Sequence, residues 1–541
     1  MPKAPPVIIL IVSTSFGEID WILPALTNLK ERFPEWEVIT LFSHKLLYQY
    51  LTENRALYTE FCKVSSLYIV PQELDALFSQ QVKPDQVKII LKDYNQDQYA
   101  PYKLEVMARC PKALVVSYPH SNHIYSNQTT DPIQHCSDPD TYSRHDIFLL
   151  NSDNDIPFWS KDVDINKIKT LGYPRYDSWW IDRFLASPSL SESMELKATK
   201  QADHVFFFIS RGPHSHYLSQ QDYEYLVKST MESVLQYDNS LLLIKPHPRQ
   251  DISDLRSLLN PYEDNRWLIS GLHLFQLASL ADVVISGWSS GILDALAVKK
   301  PVIEFWRFGG QDPLCRKTAD GHFTTIYEEL GLAAPAKTKA ELKTLLSKAI
   351  SDPQENIWQQ QLKAFHSHCK LTDQASQAIA DCLLQNVETK EASGVSTDNP
   401  QQQQELIETL IEYVVTMVEE NTPDRARQWL DFLAAQFPKD ARIFNTTGVF
   451  LFHQGDFTGA VDNLVQSLNL DPTSHEAAIN LTQILLAIDR EDDAINIVLG
   501  FYRQVHDEQT RNEFLHTLHR DLGDESFTLI RTRLAALRDH T

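Results

Sequence analysis

Short, unbroken apolar runs alternate with amphipathic stretches over the first third of the chain. VIILIV (7–12), WEVITLF (36–42), SLYIV (66–70), ALVVSY (113–118) and DIFLLNS (146–152) have strand length, and a helical pattern spans 18–33. Runs that are apolar at nearly every position, rather than at every second one, belong to strands covered on both faces. That is the setting of a parallel sheet between helices. The pattern lapses over 181–202 into a Ser-, Glu- and Lys-containing segment, expected to connect two lobes, and then restarts. HVFFFIS (204–210), SLLLIK (240–245), RWLIS (266–270), ADVVIS (281–286) and PVIEFW (301–306) are its strands. Helices are expected at 220–236 and in HLFQLASL and SGILDALAV. Two doubly wound, Rossmann-like α/β lobes are predicted, 1–180 and 200–385, with helices near 337–385 closing the second and returning toward the first.

The segment 386–404, ending in QQQQ, is polar and aperiodic and reads as a linker. Beyond it, 405–541 is all-helical with a 34-residue period. In the frame that starts at Ala441, the packing positions are Phe444, Thr447, Gly448, Leu451, Ala460, Leu464 and Ser467, with Pro472 at the end. One unit earlier the frame holds Leu410, Tyr413, Met417, Ala426, Leu430 and Pro438; one unit later it holds Leu481, Leu485, Ala494, Val498 and Phe501. Small residues at 426, 460 and 494 let paired helices approach closely. This register resembles the tetratricopeptide repeat and implies an all-α solenoid with a concave peptide-binding groove, ending in a capping helix pair. A generic helical bundle is the alternative.

Composition narrows the classes. The formal net charge of −23 opposes a nucleic-acid or anionic-membrane partner, since both need a basic surface. No run approaches the roughly 20 apolar residues of a membrane span. The opening apolar run continues directly into a strand–turn–helix pattern, so a buried first strand is expected rather than a signal peptide. Cys62, Cys110, Cys136, Cys315, Cys369 and Cys382 are scattered without metal-type spacing, as in a reduced cytoplasmic protein.

Candidate chemistry collects at predicted strand ends, where doubly wound sheets bind ligands. Lys245, His247 and Arg249 stand in KPHPR after SLLLI. Lys and Arg supply charge for a phosphate, and His a donor whose state is adjustable near neutral pH. After ADVVIS, Gly287, Trp288, Ser289 and Ser290 lead into a helix that carries Asp294, which is placed to accept bonds from ribose hydroxyls. Arg211 and Gly212 follow HVFFFIS. Each alone is readable as a prolyl turn or an ordinary helix cap. In the first lobe Gly17, Glu18 and Asp20 follow strand one. A carboxylate there either complements a helix N-terminus or takes a proton from a nucleophile. His120 and His123, in SYPHSNHIY, suit a sugar or acceptor surface, or are structurally satisfied loop residues. Asp138–Asp140 and Asp153–Asp155 are Asp-x-Asp steps read as turns, and no metal site is expected.

KPHP, followed some forty residues on by ADVVISGWSSGILDALAVKKPVIEF, resembles the C-terminal lobe of GT-B glycosyltransferases, most of all capsule-type sialyl- and Kdo-transferases. CDP-glycerol glycerophosphotransferases are similar in the same stretch and in GYPRYD (172–177). The likeness covers motifs in 165–310 and architecture over 1–385. It implies that His247, Ser289 and Ser290 hold a donor phosphate with Lys245 and Arg211, that Gly287, Asp294 and Arg249 line the nucleotide, and that Arg175 and His123 lie on the acceptor side. Gly17–Glu18 looks like the Gly-Glu of lipid A Kdo transferases, whose Glu is the catalytic base, with Asp20 or His120 as substitutes. The expected activity is inverting, metal-independent transfer of a CMP-linked ulosonic acid to a glycan or protein, such as flagellin or another surface protein, recruited by the repeats. No cofactor beyond the nucleotide-activated sugar is expected. Glycerophosphate transfer from CDP-glycerol, a UDP-N-acetylglucosamine 2-epimerase-like isomerisation, and an inactive scaffold are the alternatives.

Overall fold

The computed structural model describes residues 4–538 except 14, 71–72, 95–100, 120–144, 161–162, 215–217, 248–249, 263, 308–315, 318–320, 322, 370, 393–403, 405–406, 409, 413, 416–417 and 419–422. The chain divides into two compact units, Met1–Asp398 and Asn399–Thr541.

The first unit holds both predicted Rossmann-like lobes, as the GT-B plan requires. Lobe one is a seven-stranded, all-parallel sheet of β1 (Val7–Val12), β2 (Glu37–Phe42), β3 (Ser65–Ile69), β4 (Val87–Asp93), β5 (Leu114–Tyr118), β6 (Ile147–Leu150) and β7 (Ile168–Thr170). Its order is β3-β2-β1-β4-β5-β6-β7. Every residue of β1 is fully buried, which explains its uninterrupted apolar sequence. The pattern reading missed β4, the central strand beside β1, because Lys88, Lys92 and Asp93 interrupt its apolar run. It also missed β7, a short edge strand.

Lobe two contains β8 (His204–Ser210), β9 (Ser240–Pro246), β10 (Trp267–Ile269), β11 (Val283–Ser286) and β12 (Val302–Phe305). A small hairpin, β13 (Arg316–Lys317) with β14 (Phe323–Thr324), precedes β15 (Ala334–Ala336). The sheet order is β10-β9-β8-β11-β12-β15. In each lobe the order reverses beside the first strand, at β1/β4 and at β8/β11. These are the topological switch points, where loops diverge and leave a crevice at the strands' carboxyl ends.

One hydrophobic cluster runs from β1 and its helix through Tyr176, Trp180 and Phe184 to Phe275 and Ile292 of lobe two. The expected connection at 181–202 is itself helical, as Ser178–Leu185, Pro188–Ser191 and Met194–Thr199. The last helix of the unit, Ala375–Ala392, returns to lobe one, where Lys390 donates to the Ala113 carbonyl (3.0 Å) and pairs with Asp146 (2.8 Å). Helix therefore continues past 386, where the linker was expected to start.

The described residues of the second unit form helices joined by short turns. Ala441–His453 pairs with Phe457–Leu470, and His475–Ala487 with Glu491–Gln504. Ala426, Ala460 and Ala494 are fully buried. At Gly448 the helices touch: a Cβ there would lie 2.5 Å from Leu464 Cγ and 3.0 Å from the Ala460 carbonyl oxygen. The expected capping pair is instead one 31-residue helix, Glu508–Arg538. Tyr413 and Met417 lie outside the described residues. Among the described residues no helix is long and apolar enough to cross a membrane. Cys110 and Cys369 are buried free thiols and Cys62 is exposed, whereas Cys136 and Cys315 lie outside the described residues.

Candidate active site

Lobe two gathers three of the predicted strand ends at its switch point. The Gly287 N–H donates to the Ile209 carbonyl (3.1 Å) and the His247 N–H to the Ser210 carbonyl (3.1 Å), so the turns after β9 and β11 are both tied to the end of β8. Arg211, next along, donates through Nη1 to the Trp288 carbonyl (2.9 Å) and stacks on the Trp288 ring, 4.7 Å from its centroid. Trp288 adopts φ = +62°, a left-handed conformation that costs a non-glycine residue about 1–3 kcal/mol. The Arg211 contacts hold it there. Gly291 packs under the end of the Ile209 side chain, whose Cδ1 would lie 2.9 Å from a Cβ added there and would have to shift. The following helix, Gly291–Ala297, has seven residues, too few for a large contribution from its dipole. The Ser289 hydroxyl accepts from the Gly291 N–H (3.2 Å), and Ser290 makes no side-chain cap bond. His247, Arg211, Ser289 and Ser290 are half-buried around this crevice.

Lys245 sits at the same edge but is partly committed, since its Nζ donates to the Gly271 (3.1 Å) and Leu272 (2.9 Å) carbonyls. Burial pulls it down to about 8, partly offset by Glu53, Asp20 and Glu195. Arg249, His120, His123 and Asp138–Asp140 lie outside the described residues. Asp153 begins a short 3-10 turn and accepts from the Thr170 hydroxyl.

In lobe one, Glu18 is fully buried in the first turn of the helix Gly17–Arg32. Its two oxygens accept from the Ser13 (3.0 Å) and Ser15 (2.7 Å) N–H groups. Burial and the neighbouring Asp93 charge push it up to about 8, against Lys103 and the two backbone donors. A carboxyl so poised exchanges its proton near neutral pH, which suits general acid–base work. The pattern reading missed Asp93 and Lys103. The signal was present in VKIILKD, a strand ending in charge like the KPHPR strand, but β4 was not recognised as a strand.

Three other candidates are reassigned by the geometry. One guanidinium, Arg175, lies between Asp20 of lobe one and Asp294 of lobe two. It bonds Asp20 Oδ2 through Nη1, and its Nε is 3.0 Å from Asp294 Oδ1. All three are nearly fully buried, and Arg175 is engaged by both carboxylates at once. Burial alone would raise Asp20, but Arg175 and His273 outweigh it and hold Asp20 below the usual carboxylate range, which makes it a poor base. His273 caps the helix Leu274–Leu280: its Nδ1 accepts from the Phe275 N–H (3.2 Å), so Nε2 carries the hydrogen donated to Asp20 (3.1 Å). Burial lowers it to about 4, leaving it neutral. Asp294 is pushed the other way, up to about 7, by burial and the Asp20 charge, against the pull of Arg175. GYPRYD also supplies Asp177, which accepts from the Ala375 (3.0 Å) and Ser376 (2.8 Å) N–H groups and so caps the returning helix. The motif clamps the two lobes and that helix together.

No family model and no curated protein sequence matches the chain. Among solved structures it is similar to the wall teichoic acid polymerase TagF, with 14% identity over 72% of this chain and 90% of that one, at a TM-score of 0.49. It is similar also to a UDP-N-acetylglucosamine 2-epimerase (14% identity, 71% and 96%, TM-score 0.48). A third similar structure is S. aureus MnaA with UDP (12% identity, 69% and 94%, TM-score 0.46).

Proposed function

We propose that this chain is an inverting, metal-independent glycosyltransferase acting on a nucleotide-activated sugar. The observation that carries the reading is the convergence of Arg211, His247 and the Trp288–Ser290 turn at the lobe-two switch point. Prepositioned cationic and hydroxyl donors stabilise the negative charge that grows on a departing nucleotide phosphate, typically the largest single catalytic effect. Lys245 adds charge at the rim. The KPHP and WSSG motifs support a CMP-linked ulosonic acid as donor. Glu18, poised at the lobe-one switch point, takes the proton of the acceptor hydroxyl as it attacks the anomeric carbon. The bond to the nucleotide phosphate breaks as the new glycosidic bond forms, and the charge left on the phosphate meets Arg211. In the second unit, helix starts at Ala441 and His475, and at Phe457 and Glu491, share the 34-residue spacing of the tetratricopeptide reading. A groove of such helices suits recruitment of a protein or glycan acceptor.

A thermal-shift panel of CMP, CDP, UDP, GDP and their sugar conjugates tests the donor. A ligand at 100 times its Kd stabilises by about 2.7 kcal/mol, enough to read on a melt. CMP and its conjugates should shift the parent, His247→Ala should lose the shift, and Glu18→Gln should keep it while losing turnover. Selective stabilisation by UDP sinks the CMP proposal, and selective stabilisation by CDP-glycerol replaces it with glycerophosphate transfer.

A further inference from the structure

One buried amide ties together two strand ends that carry donor-phosphate candidates. Gln250 follows directly on KPHPR and is 8% exposed. Its Oε1 accepts from the His247 N–H (3.3 Å), and its Nε2 donates to the Ser210 hydroxyl (3.0 Å) and the Tyr223 phenol oxygen (2.9 Å). The amide fits only one way round: a backbone N–H can donate but not accept, so the oxygen has to face His247. On the main chain the Gln250 N–H donates to the His247 carbonyl (2.8 Å), which closes the turn on itself, and the His247 N–H is shared with the Ser210 carbonyl (3.1 Å). Ser210 is the last residue of β8, and Tyr223 belongs to the helix Gln220–Val234; both are buried. Gly212 packs over the same side chain, since a Cβ added there would lie 3.0 Å from Gln250 Cγ and 3.4 Å from its Cα.

Pro246 and Pro248 flank His247 and have no N–H, so the His247 N–H is what ties this stretch of the turn to β8 and to the amide. A buried polar side chain with both donors and its acceptor engaged rigidifies the groups around it. Arg211 leaves β8 one residue after Ser210, so the same amide also fixes the spacing between the Arg211 turn and the His247 turn. We infer that Gln250 is a positioning residue of the donor cradle: it acts on the donor through His247, whose backbone it holds against the end of β8. This rests on reading His247 as a holder of the donor phosphate.

The test is a double-mutant cycle on the full chain, read in two ways. Gln250→Met keeps the length of the side chain and removes its three hydrogen bonds. The ring carbon-13 resonance of His247, identified by its absence in His247→Ala, should move in this variant. The Kd for CMP, or for whichever nucleotide of the panel shifts the parent, should rise about tenfold. In the His247→Ala background the same substitution should raise Kd by less than about twofold, because residues that act through one another are not additive. Tyr223→Phe removes one anchor of the amide, should move the His247 resonance in the same direction by less, and serves if the methionine variant does not fold. A His247 resonance that stays at its parent position, or an equal factor in Kd in both backgrounds, overturns the inference. If the resonance moves while the parent binds no nucleotide of the panel, the donor reading of His247 fails and the positioning by Gln250 stands.

Discussion

Replacing Arg175 with methionine removes the one cation shared by two buried carboxylates on opposite lobes while keeping the aliphatic length of the side chain. Breaking a buried ion pair by deleting one partner costs about 3–5 kcal/mol, because the remaining charge is left uncompensated. Here the cost falls at the lower end. Asp294, already up at about 7 through burial, escapes by taking a proton, and Asp20 retains the His273 Nε2–H bond. About 3 kcal/mol is therefore expected near pH 7. At about 2.1 cal/mol/K of unfolding entropy per residue, the 398 residues of the first unit convert this to a fall in Tm of about 4 °C. The sign with pH is fixed by linkage. In the variant both carboxyls titrate above their unfolded values, so stability is present at low pH and lost as pH rises through the folded values. Differential scanning calorimetry of the full chain at pH 5.5 and 8.5 should show a loss that is smaller in acid and larger in base. Asp294→Asn, added to Arg175→Met, should recover part of the loss at the higher pH. A fall in Tm under about 1 °C, equal at both pH values, would refute the bridge as a source of stability.

Two further outcomes follow from packing and burial. Gly448→Ala forces a Cβ against Leu464 and the Ala460 carbonyl, and backbone cannot swing aside; overpacking of this kind costs about 1–3 kcal/mol. Hydrogen exchange should quicken across 441–470, and unchanged protection there would count against the close helix approach. Glu304, fully buried on β12 with one oxygen unpartnered, is pushed up to about 8 by burial and by Glu328. Its raised value makes it a source of stability lost as pH rises from about 4.5 through 8. Glu304→Gln should raise Tm relative to the parent more at pH 9 than at pH 6, and an equal difference at both would contradict the buried-acid reading.

Runs such as VIILIV and HVFFFIS declared themselves because a strand buried on both faces needs apolar residues at nearly every position. The 34-residue spacing was legible for a related reason: buried small residues recur at it, at Ala426, Ala460 and Ala494, so the period is written locally. The strand-end turns of lobe two that carry Arg211, His247 and Ser289–Ser290 were legible because their strands were recognised. β4 was not recognised, since Lys92 and Asp93 look like exposed positions and are buried only by partners elsewhere in the chain. With it went Lys103.

Local pattern thus determined the two lobes, the helical second unit and which residue types end which strands. Only the tertiary structure decided which charges meet. Arg175 lies 155 residues from Asp20 along the chain, and whether it serves an acceptor or clamps two lobes depends on the relative placement of those lobes. Glu18 is likewise an ordinary acidic residue in a helix's first turn until β4 is inserted beside β1 and brings Asp93 against it. Periodicity reports whether a segment is buried, whereas the free energy of a buried charge depends on its partner, and partners are chosen by strand order.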